Sequence, residues 1–202
     1  MSRFTVPIAD ILGTAFYHYE LTSSTYNPTI DTSFTITCKV TNVFGNNVSG
    51  KSITLYKDGT SVSSSTTNSS GVATWTVTLS DWNVHHFSCN GATMELQAKG
   101  LKQIAQKTNN VVKYTLYADG SSRICVIKIE STSTFSIASG EQYTFTGLIP
   151  SQYAPKHNLY ADVNRNANVV FYCWTGGSGG LYNRISTTQT NQSVSGQITY
   201  SY

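Results

Sequence analysis

Charge is scarce in this chain. Asp, Glu, Lys and Arg make up 11% of its 202 residues, less than half of the ~25% usual in soluble domains. Thr, Ser, Asn and Tyr take their place, so solubility rests on hydroxyls and amides. The formal charge of +3 is carried by Lys and Arg residues that are scattered rather than massed, which argues against nucleic-acid binding. No run reaches the ~18 apolar residues of a membrane helix, so no membrane insertion is expected. The opening MSRFTVPIADILGT also lacks the apolar core of a secretory signal.

Helical periodicity is nearly missing as well. Only residues 101–107 (LKQIAQK) have the spacing and propensity for a turn or two of helix, and they read equally well as a linker. The four cysteines, Cys38, Cys89, Cys125 and Cys173, include no Cys-x-x-Cys pair, which removes the usual zinc and redox motifs. Cys125 and Cys173 lie in apolar runs and read as small buried hydrophobes.

Catalytic constellations are equally thin. The acidic residues stand as singletons, among them Asp31, Asp81, Asp119 and Glu130, with no close pair of the glycosidase kind. Gly176, Gly177, Gly179 and Gly180 surround Ser178 without the lysine or the following helix of a phosphate-binding loop, so they read as a flexible strand connection. His85 and His86 are adjacent, and on a strand adjacent side chains point to opposite faces; His18 and His157 lie in other segments. No catalytic residue, metal site or cofactor is therefore expected. Asn47, Asn68 and Asn191 open Asn-x-Ser sequons, which matter only on a secretory route.

What the chain does have is alternation. Val, Ile, Tyr, Phe and Trp alternate with Thr and Ser between turn signals spaced about 8–12 residues apart, the pattern of β-sandwiches and barrels. In 33–40 (SFTITCKV), Phe34, Ile36, Cys38 and Val40 share one face; in 74–79 (TWTVTL), Trp75, Val77 and Leu79 do the same. Asp58-Gly59 marks a hairpin turn. From Val111 a second series begins, with strands expected at 111–118, 123–130, 135–137, 142–146, 169–175, 181–186 and 194–200. The fold class is all-β, as two consecutive β-sandwiches: an arm at 1–20, a first sandwich at 21–100, a linker at 101–110 and a second sandwich at 111–202.

The segment 168–174 (NVVFYCW) is apolar at both parities, so it needs cover on both faces. One cover is its own sandwich, and the other is expected from a second subunit. Tyr172, Trp174 and Tyr182 flank the glycine-rich connection, and aromatic rings at strand ends offer large contact area at low entropic cost. They are the candidate ligand-binding residues, with Trp82 in the turn at 80–83 as another; the competing reading places them in the core or on a trimer axis.

Two resemblances follow from particular residues. Cys38-Lys39-Val40-Thr41, Val48-Ser49-Gly50-Lys51, Asn68-Ser69-Ser70-Gly71-Val72-Ala73 and Phe87-Ser88-Cys89 make the first unit resemble the immunoglobulin-like domains of bacterial and archaeal cell-surface and phage proteins. That resemblance places Cys38 and Cys89 on facing sheets and implies an inter-sheet disulfide between them, with Trp75 displaced from the usual core tryptophan. Ile149, Pro150, Tyr153 and Pro155, followed by strands and the connection at 176–180, resemble the carboxyl-terminal head domains of tailed-virus fibre and receptor-binding proteins.

The second resemblance implies a jelly-roll-like head and a non-enzymatic protein on the virion surface. Its implied role is a tail-fibre or receptor-binding component, a homotrimer that attaches to a host-envelope glycan or protein. The arm at 1–20 would grip another virion structural protein. A capsid decoration or head-fibre protein is the alternative, ahead of a cellular adhesin or an envelope glycan hydrolase.

Overall fold

The computed structural model describes residues 17–109, 111–140, 142–163 and 169–202, and it is all-β. The chain divides into two units, the first ending at Ala98 and the second beginning at Lys99. Of the arm expected over 1–20, residues 1–16 lie outside the described residues. Residues 17–20 instead open a strand of the first sandwich.

In the first unit, β1 (Tyr17–Ser23), β2 (Ser33–Asn42) and β5 (Val72–Thr78) form one antiparallel sheet in the order β1-β2-β5. Opposite it, β3 (Ser52–Lys57), β4 (Thr60–Thr66), β6 (Val84–Cys89) and β7 (Ala92–Gln97) pair in the order β4-β3-β6-β7. The alternation read in the sequence decides which face is inward: Phe34, Ile36, Cys38 and Val40 meet Trp75 and Val77 on one sheet and Ile53, Leu55, Phe87, Cys89 and Leu96 on the other. Each such fully buried large side chain contributes roughly 1.5–3 kcal/mol over exposure. Trp75 also ties the sheets together, its indole N–H donating to the Ser63 carbonyl at 3.1 Å.

Turns of this unit are built where the backbone needs left-handed residues. Asp58 (φ 51°) and Gly59 (φ 79°) join β3 to β4 as a two-residue loop between the paired Lys57 and Thr60. Positive φ at both central positions gives the hairpin turn whose twist matches its strands. Gly71 (φ +74°) is more constrained, because a Cβ there would meet the Val40 carbonyl oxygen at 2.6 Å.

The second unit opens with a correction. The segment expected as linker or helix turn is a strand, β8 (Lys102–Asn109), paired with β9 (Val112–Asp119). A register shift between Gln103 and Ala105 explains the misreading. A bulge inserts one residue and breaks the period-two alternation, so Leu101, Ile104 and Ala105 fall at helix-like spacing.

Strands β10 (Ile124–Ser131) and β17 (Ser195–Ser201) complete a sheet ordered β17-β10-β9-β8. A short pair joins β11 (Phe135–Ile137) to β16 (Gln189–Gln192). The remaining sheet is ordered β12-β15-β14-β13, from β12 (Gln142–Phe145), β13 (Leu159–Asp162), β14 (Val169–Cys173) and β15 (Gly179–Asn183). Three hairpin-connected strands with β12 returned beside β15 make a Greek key. The first sheet of the unit, by contrast, is a three-strand meander joined by the last strand. Among the described residues this unit has ten strands, where about eight were expected.

Between its two large sheets lie Tyr114, Leu116, Cys125, Ile127 and Ile129 from one side and Val169, Phe171, Cys173 and Leu181 from the other, all buried. Tyr114 and Phe171 meet with ring centroids 5.6 Å apart. Cys125 and Cys173 are buried free thiols, and burial pushes Cys173 up to about 11. Before β13, Pro150 leads into a single 3₁₀ turn, Ser151–Tyr153. That turn is fixed to the last strand by Tyr200, whose hydroxyl donates to the Tyr153 carbonyl at 2.9 Å.

Candidate functional site: an aromatic groove on the second unit

Register places the site. On the β12-β15-β14-β13 sheet, Tyr160 stands opposite Tyr172 and Tyr172 opposite Gly180; one row along, Asp162 stands opposite Val170 and Val170 opposite Tyr182. Directly opposed residues of neighbouring strands share a face. These residues therefore form the outer face, while Val169, Phe171, Cys173 and Leu181 turn inward to the core. Trp174 follows the outer parity past the end of β14, and Arg184 follows it past the end of β15.

Six of these side chains, Tyr160, Val170, Tyr172, Trp174, Tyr182 and Arg184, line a groove of about 410 Å³, within the ~300–1,000 Å³ range of ligand sites. Val170 and Tyr172 are its buried floor. Tyr160 and Trp174 rise around them and stay 66% and 46% exposed. The Tyr172 and Trp174 rings lie 5.1 Å apart at 45°. Gly180, itself buried, puts no side chain of its own beside Tyr172.

The groove has a polar end. Arg184 Nη2 lies 3.3 Å from Asp162 Oδ1, with both side chains about half exposed. Since β14 separates β13 from β15, this ion pair crosses the central strand above Val170, a residue short enough to pass beneath it. Trp174 stands at the opposite end, four residues from Val170 along β14, or about 13 Å at strand rise.

Two devices hold the groove in shape. Asn183, fully buried between Tyr182 and Arg184, directs its amide inward: Nδ2 lies 3.1, 3.0 and 2.9 Å from the carbonyl oxygens of Ile137, Ala138 and Thr187. Its Oδ1 accepts from the Ile185 N–H at 3.2 Å. The glycine-rich connection is likewise pinned. The Trp174 N–H donates to Ser178 and the Gly177 N–H to Trp174, while the Ile149 N–H donates to the Gly177 carbonyl. A Cβ at Gly177 (φ +74°) would meet the Ile149 carbonyl oxygen at 2.5 Å. The segment expected as a flexible connection is an anchored turn, with Gly179 and Gly180 already within β15.

Tyr172, Trp174 and Tyr182 are thus brought together, and Tyr160, Val170, Asp162 and Arg184 are members that sequence reading missed. For Tyr160 and Asp162 the signal was the parity of 159–162 (LYAD), too short to stand out as a strand, while Val170 and Arg184 lie within the stretches expected as strands at 169–175 and 181–186. Trp82 is not part of this groove. It belongs to the first unit, where it is half-buried against the core and its carbonyl accepts from Gln97 Nε2 at 2.8 Å. On the outer face of β14, Val170 and Tyr172 are already buried within this single chain.

In the first unit Cys38 and Cys89 do face each other across the two sheets, as free thiols with Sγ atoms 3.1 Å apart. Cys89 donates to Cys38, which favours the thiolate at Cys38 and raises Cys89. The two histidines separate as strand alternation requires. His86 is exposed, 3.2 Å from Glu95. His85 is buried, with Nδ1 at 2.7 Å from Asp58 Oδ2 and Nε2 at 3.1 Å from Asp81 Oδ1. Among the described residues no group of three or more His, Cys, Asp or Glu side chains is arranged to hold a metal ion, and no helix is long and apolar enough to cross a membrane. No protein-family model matches the chain, and no curated protein matches it in sequence.

Proposed function

We propose that this chain is a non-enzymatic attachment protein of a virion surface, a tail-fibre or receptor-binding component that engages the host-cell envelope through the aromatic groove of its second unit. The observation that carries this reading is the groove itself: three ordered, partly exposed aromatic rings around an apolar floor, with one ion pair at its end. Rigid rings on a sheet bind without losing much freedom, and a sheet positions them more firmly than loops would.

The groove's chemistry supports binding over turnover. Asp162 and Arg184 neutralise one another, and burial raises the Tyr172 phenol, so the charged groups there serve as fixed hydrogen-bonding partners. In this reading the first sandwich is an immunoglobulin-like spacer, and the functional assembly is a homotrimer held to a further virion protein through residues 1–16.

The test is adsorption of the purified full-length chain to isolated envelopes of cells that the particle infects. Saturable binding that is lost in Trp174→Ala, and competition with particle attachment, are expected. Equal adsorption by the variant would refute the groove as the attachment site. Antibody labelling of particles on the head alone would refute the fibre assignment, and sustained release of sugar or peptide from the envelope would refute the non-enzymatic one.

A further inference from the structure

Resting on the reading of the groove as a binding site, we infer that its ligand is a neutral pyranose oligosaccharide, stacked by its C–H faces on Trp174 and Tyr160 and hydrogen-bonded at one ring to the Asp162–Arg184 pair. Three features select this chemistry.

The first is charge. Among the described residues Arg184 is the cation lining the groove, and Asp162 at 3.3 Å already compensates it. An anionic ligand would have to displace or face that carboxylate, forfeiting the attraction that a free guanidinium gives to carboxylate or phosphate. Over its described residues the groove is neutral, and it fits a neutral ligand.

The second is the pairing of donor and acceptor. A sugar hydroxyl both donates and accepts, so neighbouring hydroxyls on one ring match a side-by-side carboxylate and guanidinium: one O–H donates to Asp162 and its neighbour accepts from Arg184. Both side chains are about half exposed, within reach of a ligand in the groove. A purely apolar ligand would cover this pair and satisfy neither partner, at the cost that attends buried unpaired polar groups.

The third is shape. The polar pair and Trp174 stand at opposite ends of an open groove, with the Val170–Tyr172 floor between them. A single pyranose ring spans about 5 Å, comparable with one inter-strand spacing, so the ~13 Å from Val170 to Trp174 accommodates two to three linked rings. Aromatic faces are electron-rich and their edges positive, which suits the polarised C–H bonds on the flat face of a sugar ring.

The decisive measurement is saturation-transfer NMR with the full-length chain against neutral glucose, mannose and galactose oligosaccharides of two to four units. Uronic-acid oligosaccharides of the same length serve as the anionic arm. Transfer from the aromatic resonances to sugar C–H protons of a neutral oligosaccharide is expected. Affinity should change less than about twofold between low and physiological salt, as for contacts that do not depend on net charge.

Trp174→Ala is expected to weaken binding at least tenfold, and Asp162→Asn about fivefold. Both side chains are half exposed, so the fold should survive, and Tyr160→Ala supplies a third variant on an exposed ring. Preferential, salt-sensitive binding of the uronic-acid series would overturn the inference, as would neutral binding unaffected by any of these variants. If whole envelopes bind through Trp174 while no neutral oligosaccharide does, the ligand class is wrong and the attachment reading stands. If neither binds, both fall.

Discussion

Asn183 offers the sharpest test of how the groove is built. Its amide places two N–H bonds among three carbonyl oxygens, those of Ile137, Ala138 and Thr187, while its own oxygen takes the Ile185 N–H. Asn183→Ala deletes all of these in a fully buried setting and strands three acceptors from two segments at once. A buried polar group left without its partner costs about 1–3 kcal/mol. With two donors lost and one N–H orphaned, the expected destabilisation is roughly 3–5 kcal/mol, cavity included.

Asn183→Asp keeps the shape and reverses the polarity, putting a carboxylate against three carbonyl oxygens. That environment disfavours the charged form, so the folded-state value of the new carboxyl rises above its unfolded ~3.9. A raised value means that the variant is least impaired below about pH 4, where the neutral acid donates one O–H. Its deficit should then grow as pH rises through the folded value. Hydrogen exchange read on peptides of the second unit, at pH 4 and pH 7, measures both effects. An alanine variant within about 1 kcal/mol of the parent, or an aspartate variant whose deficit shrinks as pH rises, would refute the account.

Other outcomes follow from the same geometry. Gly71→Ala should cost more than Gly59→Ala, since both positions have positive φ but only at Gly71 would the Cβ strike backbone, 2.6 Å from the Val40 oxygen. About 1 kcal/mol is expected at Gly59 and several at Gly71, read by urea unfolding of the first unit. The hydrogen bond from His85, together with the His86 N–H, holds the Asp58 carboxyl below its ordinary 3.8. A lowered folded-state value contributes stability that is complete above the unfolded value and is lost as pH falls through the folded one. Thermal unfolding from pH 6 down to 2 should show a loss that Asp58→Asn abolishes; identical profiles would contradict the assignment. Diamide treatment should join Cys38 to Cys89, since their sulfurs lie 3.1 Å apart. The bridge should appear as a two-thiol loss on titration, with a stabilisation of about 4 kcal/mol by loop entropy. Four titratable thiols after treatment would count against that proximity.

The elements legible in the sequence were those whose alternation is strict. In β2 the burial pattern follows Phe34, Ile36, Cys38 and Val40 residue for residue, and in β5 it follows Trp75 and Val77. Strand β8 hid behind its bulge, and β16 (QTNQ) has no apolar residue to betray it. Trp82 looked exposed because Ser80, Asp81 and Asn83 around it are turn formers. Polar neighbours fix where the backbone turns, but the indole packs wherever apolar surface is nearest.

The reading of β14 shows why a site needs more than local pattern. Its five residues are all buried, as the two-sided apolar run requires, yet the sequence cannot say what covers the outer face. That depends on which strands lie beside it. Here they are β13 and β15, and both bring large side chains to the outer parity, Tyr160 on one and Tyr182 on the other. Those rings cover Val170 and Tyr172 while themselves remaining partly exposed, so within the chain the demand for cover is met by an aromatic rim. A rim of that kind leaves a groove where a flat contact would leave none. The same residues that close the outer face of the strand therefore create the surface on which a ligand can stack.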